Sequence, residues 1–275
     1  MNDNRPEHLR EVAEQLVAEA AEFVRRRRAE IIGAGSAAVR TKSTPTDPVT
    51  LADIETEQLV RERLARMRPG EGILGEEGGG TPSDGSVRWV VDPIDGTVNF
   101  LYGIPAYAVS LAAQVDGVSV AGAVADVAGG EIYSAAAGLG AHVMDSGRRR
   151  RLRCNGVEEL SMALIGTGFS YSPPRRAAQA ALLAELVPEV RDVRRLGSAA
   201  LDMCMVAAGR LDAHYEHGLH EWDWAAGALI AAEAGAVVLL PGEGTGAGLL
   251  LAAAPGVAAA LIEALERCGG LQPLP

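Results

Sequence analysis

Lysine is almost absent from this chain of 275 residues: of its 25 basic side chains only Lys42 is one. Any step needing an ammonium therefore has a single candidate, and a Walker loop is excluded because no glycine stands at the required distance before Lys42. Cysteine is scarce too. Cys154, Cys204 and Cys268 are odd in number, far apart and form no C-x-x-C pair. That argues against a disulfide framework or a zinc knuckle and predicts a reducing, cytoplasmic setting. Long apolar runs are missing: "AGLLLAAAPGVAAALI" is broken by Pro255 and Gly256, and the charged "MNDNRPEHLREVAEQ" lacks the core of a signal peptide. No membrane partner is expected. Positive charge is in deficit, with 36 acidic residues against 25 basic ones and a net charge of -11. Such a field repels polyanions and makes nucleic acid an unexpected partner, but it leaves room for a small phosphorylated substrate whose charge a cation offsets. Ser198 lacks the G-x-S-x-G elbow of serine hydrolases. No His/Cys set has metal-ligand spacing either, since an extended "LDAHYEHG" would send His214 and His217 apart, with His220 beyond.

What is present is a chain that is 48% hydrophobic, with 33 glycines, of a size for one large domain or two joined halves. Leu9, Val12, Leu16, Phe23 and Val24 predict an amphipathic helix over 7–31, ending in a solvated basic run, Arg25 to Arg28. Thr50 or Asp53 is placed to cap a second helix reaching about Met67. "RWVV" predicts a buried strand ending at Asp92, and 107–143 an antiparallel meander with Gly-bearing turns. The cluster Arg148 to Arg151, beside Gly147, reads as an exposed loop. Beyond it strands alternate with helices: "MALIGTGF", a helix over 175–187, "GSAALDMCMVAAG", "LDAHYEHG", "EWDWAAGALIAAEAG", "AVVLLP" and a last helix from about Pro255 to Arg267. "GEGTGA" (242–247) fits a dinucleotide fingerprint only loosely and reads as a surface turn. No fixed-period repeat occurs. The expected organisation is an α+β half, 1–147, and an α/β half, 148–275, in one layered unit.

Carboxylates mark four element ends: Asp53, the pair Glu76 and Glu77, the pair Asp92 and Asp95, and Asp223. Each alone is an ordinary cap or turn residue. Brought together they would repel one another, and a hard cation such as Mg²⁺, which prefers oxygen ligands, is the economical counter-charge. In "DPIDGT" Pro93 fixes one backbone angle so that Asp92 and Asp95 can face one point, and Gly96 leaves room for close approach. Gly96 and Thr97 then offer backbone N–H groups suited to an anion. Carboxylates for metal beside amides for phosphate point to phosphoryl transfer.

"DPVTLAD" (47–53), "GILGEEGG" (72–79), "WVVDPIDGTVNF" (89–100) and "EWDWAAGALIAAEAGA" (221–236) resemble, in order, the motifs of the inositol monophosphatase family of Mg²⁺-dependent, lithium-sensitive phosphatases. The resemblance implies a five-layer αβαβα sandwich that is both α/β and α+β in character, a homodimer, and two or three Mg²⁺ per active site. It also implies roles. Glu76 would hold the first metal and orient the attacking water, Asp92 would bridge two metals, and Ile94 would add its carbonyl. Asp95 and Asp223 would hold the second metal. Thr97 would polarise the water, with Asp53 orienting Thr97, and the amides of Gly96 and Thr97 would take the phosphate. Gly197, Ser198 and Ala199 would line a polyol pocket shared with Asp95 and Asp223, in which Glu216 accepts hydroxyls; Lys42 would stand near the substrate entrance. Glu221 is expected to be a solvent-facing helix-start charge. The activity implied is hydrolysis of myo-inositol 1-phosphate and similar polyol phosphates by metal-activated water. The alternatives are the same chemistry on fructose-1,6-bisphosphate, histidinol phosphate or 3′-phosphoadenosine 5′-phosphate, or a non-catalytic regulatory role. The D-x-x-D spacing of Asp92 and Asp95 does not match the D-x-D-x-T of phosphatases that form a phospho-enzyme.

Overall fold

Apolar residues at helical spacing drive the first layer. In the computed structural model, which describes residues 3–34, 39–41, 48–81, 87–242 and 248–275, α1 spans Pro6–Ala34 and buries Leu9, Val12, Leu16, Val17 and Val24. The short strands β1 (Val39–Thr41) and β2 (Pro48–Thr50) pair antiparallel and lead into α2 (Leu51–Met67). Thr50 caps α2 and Asp53, three residues on, closes a capping box, so both anticipated residues serve one helix start.

The next eight strands are β3 (Gly72–Gly75), β4 (Gly79–Gly80), β5 (Val87–Asp95), β6 (Ala108–Val115), β7 (Val118–Asp126), β8 (Ile132–Ala136), β9 (Gly140–Asp145) and β10 (Arg148–Arg151), with the helix α3 (Thr97–Tyr102) between β5 and β6. Among the described residues β3 to β10 form one eight-stranded sheet, ordered β10-β9-β8-β7-β6-β5-β3-β4, with β3 and β5 its parallel pair. Side chains alternate across it. Val87, Trp89 and Val91 join the core under α1 and α2, while Val90 joins the core on the opposite face. Burial on both faces is why these strands read as unbroken apolar runs.

The second sheet, ordered β12-β11-β13-β15-β14, holds β11 (Leu164–Thr167), β12 (Asp192–Arg194), β13 (Ala213–His217), β14 (Val237–Leu239) and β15 (Leu249–Ala253). Helices α5 (Ala199–Ala207) and α6 (Glu221–Glu233) lie between the sheets: Ala200, Leu201, Ala225 and Ile230 face the first, and Met203, Val206 and Ala231 face the second. A Cβ on Gly227 of α6 would lie 3.1 Å from that of Met203 on α5, so a small residue sets their approach. Helices α4 (Pro173–Leu186) and α7 (Pro255–Arg267) cover the outer face through Leu182, Leu186, Val257 and Leu261. The result is the expected αβαβα sandwich. No helix among the described residues is long and apolar enough to cross a membrane.

Three local expectations are corrected. Arg148–Arg151 is a strand, because Ser146 and Gly147 both adopt positive φ (48° and 78°) and close a two-residue hairpin with β9. Its four exposed arginines blunt an edge of the first sheet, and that sheet therefore extends past residue 147. The basic run of α1 is more than a solvated face: Arg25 donates to the Val127 carbonyl (3.0 Å) and Arg28 to that of Phe100 (3.0 Å). Finally, β5 does not stop at Asp92. It continues to Asp95 through a bulge in which Pro93 and Ile94 oppose the single residue Val109 of β6, since Pro93 has no N–H for the ladder. Lys42 and nearly all of "GEGTGA" lie outside the described residues.

Candidate active site

The parallel pairing of β3 with β5 sets Gly75 beside Val91, so the residues that follow, Glu76 and Asp92, emerge side by side; the Glu76 N–H donates to the Val91 carbonyl at 3.3 Å. The bulge then turns β5. Asp92 is buried, and its Oδ1 accepts the Ile94 N–H at 3.0 Å. Gly96 follows at φ 93°, where an added Cβ would lie 2.9 Å from the Ala106 carbonyl oxygen and 3.1 Å from that of Gly197. Both the φ and the crowding select glycine there.

The buried carboxylate of Asp53 ties two segments together. One oxygen accepts from the N–H (2.8 Å) and hydroxyl of Thr50, and the other faces the Thr97 hydroxyl at 3.0 Å; that hydroxyl also lies 3.1 Å from the Ile94 carbonyl. Burial raises Asp53 to about 6, against the opposing effect of hydrogen bonds from Thr50 and Thr97; Glu76 raises it further.

The second half closes over this floor. Asp95 Oδ2 accepts the Ser198 hydroxyl at 2.6 Å and the Ala200 N–H at 2.7 Å, which joins the end of β5 to the start of α5. Asp223, in the first turn of α6, accepts the His220 N–H at 2.6 Å. Glu216 projects from β13. A Cβ on Gly168 would come within 2.1 Å of its carboxyl, so that glycine makes its room. These groups border a cavity of about 480 Å³. Glu76, Asp92, Ile94, Asp95, Gly96, Thr97, Gly197, Ala199, Glu216 and Asp223 all line it. Of the residues singled out from sequence, Asp53 and Ser198 stand behind the lining; the Ser198 hydroxyl, 3.3 Å from the Leu201 N–H, also caps α5.

Electrostatics follow the crowding. Burial, then Glu76, Asp95, Asp223 and Asp53 in turn, push Asp92 well above the usual carboxylate range; burial with Asp95 and Glu76 does the same to Asp223. Asp95 rises to about 6, chiefly by burial. Glu216 rises to about 8 by burial and by Asp95, with Arg195 opposing. Among the described residues no three acidic, imidazole or thiol side chains already stand as a cage for an ion. Asp92, Asp95 and Asp223 instead take neutral N–H and O–H donors. Their chemistry nonetheless fits a hard cation: every donor is an oxygen, and the repulsion that raises Asp92 and Asp223 is what a divalent charge relieves.

Sequence reasoning missed Arg175, Arg195, Tyr171 and Gly168, all on the cavity wall. Only the unexplained glycine ending "IGTG" carried a signal. Of the three histidines His214 is set apart, while His217 and His220 both border the cavity. His214 is wholly buried, His217 sits with Nε2 2.7 Å from the Gly270 carbonyl, and His220 stacks on Trp222 with ring centroids 4.9 Å apart. Glu221 does not simply face solvent: it pairs with Arg88 of β5 at 2.5 Å.

Comparison with known proteins agrees with this arrangement. The profile of the inositol monophosphatase family matches residues 5–269. An inositol-1-monophosphatase of Mycobacterium leprae (strain TN) is 67% identical over 286 residues, covering 99% of this chain and 98% of its own. The solved structure of Mycobacterium tuberculosis SuhB superposes with a TM-score of 0.86 at 61% identity, over 98% of this chain and 100% of that one. A protein of Pasteurella multocida (strain Pm70) named Nus factor SuhB is 37% identical over 233 residues, 83% of this chain and 86% of its own. From the order of its motifs to the layering of its sheets, the chain belongs to the inositol monophosphatase family.

Proposed function

We propose that this chain is a Mg²⁺-dependent phosphomonoesterase that hydrolyses myo-inositol 1-phosphate and similar polyol phosphates. The observation that carries the reading is the convergence of Glu76, Asp92, Asp95 and Asp223 on one cavity, which Glu216 also lines, beside the Asp53–Thr97 pair. Bound Mg²⁺, two or three ions held by Glu76, Asp92, the Ile94 carbonyl, Asp95 and Asp223, would offset charge on the phosphate and on the departing oxygen. The chain's own groups do the rest. The Thr97 hydroxyl can donate its hydrogen bond to Asp53 or to the Ile94 carbonyl, which leaves its lone pairs to accept from a water. With a value raised to about 6, Asp53 is a better proton acceptor than an ordinary aspartate. Gly96 lets the phosphate approach the backbone N–H groups of Gly96 and Thr97, while Gly197 and Ala199 shape the alcohol pocket and Glu216 receives hydroxyls. Lithium sensitivity and a homodimer complete the reading.

The test is phosphate release from a panel of monoesters, with and without Mg²⁺, repeated with Li⁺. Turnover of inositol 1-phosphate that needs Mg²⁺ and falls with Li⁺ is expected. Release from none of the panel would end the enzyme reading, and activity confined to histidinol phosphate or a nucleotide would end the inositol one. The relative named as a Nus factor favours a second reading, in which this fold also serves as a protein-binding surface in transcription. An inactive Asp95→Asn protein would retain such a role.

A further inference from the structure

Glu57 is a carboxylate in α2 that stands outside the cavity lining, yet it is only 2% exposed. Its two oxygens take the turn that follows β3. Oε2 accepts the Glu77 N–H at 2.7 Å, and Oε1 accepts the Gly78 N–H at 2.8 Å and Arg61 Nε at 2.7 Å. Arg61, one helical turn further along α2, donates Nη2 to the Gly79 carbonyl at 2.6 Å. The turn is built around this grip. A Cβ on Gly75 would lie 2.4 Å from the Glu57 carboxyl carbon, and one on Gly78 would lie 2.7 Å from Glu57 Oε1 and 3.0 Å from Arg61 Nη2. Glycine at both positions is the space the carboxylate occupies. Glu76 sits between them.

Residues 53, 57 and 61 recur at i, i+4 and i+8 and so share a face of α2. Asp53 holds Thr97, while Glu57 and Arg61 hold the backbone on the far side of Glu76. We propose that Glu57, supported by Arg61, is a positioning residue for Glu76, and that α2 acts as one rigid ruler setting the Glu76 turn in register with Thr97. The inference rests on the reading that Glu76 helps to hold a divalent cation. Outer partners of a metal ligand are commonly worth 10–100-fold in metal affinity, and the same scale is expected here.

The test uses the full chain and Mg²⁺ or Mn²⁺ alone, titrated by thermal midpoint and by tryptophan fluorescence, Trp222 being on the cavity wall. Glu57→Gln replaces one acceptor oxygen by an amide that faces backbone donors. Its half-saturating Mg²⁺ is expected to rise about tenfold, and that of Arg61→Gln by a smaller factor. Gly78→Ala, which pushes Glu57 aside, should repeat the loss without altering either side chain, and it serves as the independent variant if Glu57→Gln does not fold. Glu19→Gln, which breaks the exposed pair with Arg63, is the control and should leave Mg²⁺ affinity unmoved. A folded variant with lower thermal stability but wild-type Mg²⁺ affinity would make Glu57 merely structural and overturn the proposal. Absence of Mg²⁺ and Mn²⁺ binding by the unsubstituted chain would instead overturn the reading of Glu76 beneath it.

Discussion

The floor of the cavity and the wall that carries Glu216 are both acidic, but they are held in different ways. On the floor and just behind it each aspartate has named partners: Asp53 has Thr50 and Thr97, Asp92 has the Ile94 N–H, Asp95 has Ser198 and Ala200, and Asp223 has the His220 N–H. In the wall, Glu216 lies 3.6 Å from Nε2 of His214, whose Nδ1 lies 3.6 Å from Asp202. These distances are too long for hydrogen bonds. Both ring nitrogens of His214 and Oδ1 of Asp202 are buried with no hydrogen-bond partner among the described residues. Burial drives His214 down to about 3, so the ring is neutral, and raises Asp202 well above its usual range. A preorganised floor suits a reaction in which charge develops at fixed atoms. A wall positioned by packing more than by hydrogen bonds suits discrimination among alcohols, where few contacts decide.

The sharpest way to break this contrast is on the floor. Asp95→Asn keeps the shape but removes a charge, and its amide meets the donors Ser198 and Ala200. Turnover is expected to fall on the order of 10³-fold for every phosphomonoester alike, about 4 kcal/mol of transition-state stabilisation. Circular dichroism should be unchanged. A loss that depended on the alcohol would move Asp95 into the selective wall.

A smaller effect is expected from Glu216→Gln. KM for inositol 1-phosphate should rise about tenfold, the scale of one lost hydrogen bond, while p-nitrophenyl phosphate should be turned over as before. The same variant reports on pH. The folded pKa of Glu216 is raised from 4.5 to about 8, so its contribution to stability is intact below pH 4.5 and is lost as pH climbs through 8. Metal-free protein should therefore melt earlier at pH 8.5 than at pH 5, and part of that slope should vanish in Glu216→Gln. His214 acts at the other end: its folded value near 3, against 6.5 normally, gives stability present above pH 6.5 and lost as pH falls towards 3. Equal slopes in both proteins across pH 5 to 8.5 would place the Glu216 carboxyl in contact with water.

The same contrast explains what could be read from sequence. Floor residues are set by local chemistry. Pro93 and Gly96 shape the path of β5, Thr50 and Asp53 form a capping box, and Asp223 begins a helix, so short quoted stretches contain them. The layers were equally legible, because α1, α4 and α7 show helical periodicity and the strands of both sheets lie between glycine-rich turns. The strand nature of Arg148–Arg151 was hidden because four like charges carry no alternation and an edge strand needs no buried face. Wall residues come from separate elements. Gly168, Arg175 and Arg195 meet only when the end of β11, α4 and the segment before α5 are assembled, and the Glu57 grip likewise joins residues about twenty positions apart through backbone N–H groups, which carry no side-chain identity.

The mildest test probes a link between the two elements that supply the floor. Arg88 of β5 pairs with Glu221 at 2.5 Å and donates to Gln114 Oε1 at 2.6 Å, so it links the end of the first sheet to the start of α6, two residues before Asp223. The Arg88 side chain is 41% exposed and that of Glu221 26%, so water and salt screen the pair. A double-mutant cycle of Arg88→Ala and Glu221→Ala is expected to give a coupling below about 1 kcal/mol, shrinking as salt is raised. The turnover number should change less than twofold, because Asp223 keeps its own hydrogen bond from the His220 N–H. A coupling of several kcal/mol, or a matching loss of Mg²⁺ affinity, would show that the first sheet sets the position of Asp223 through this pair and that the floor carboxylates of β5 and α6 are held as one piece.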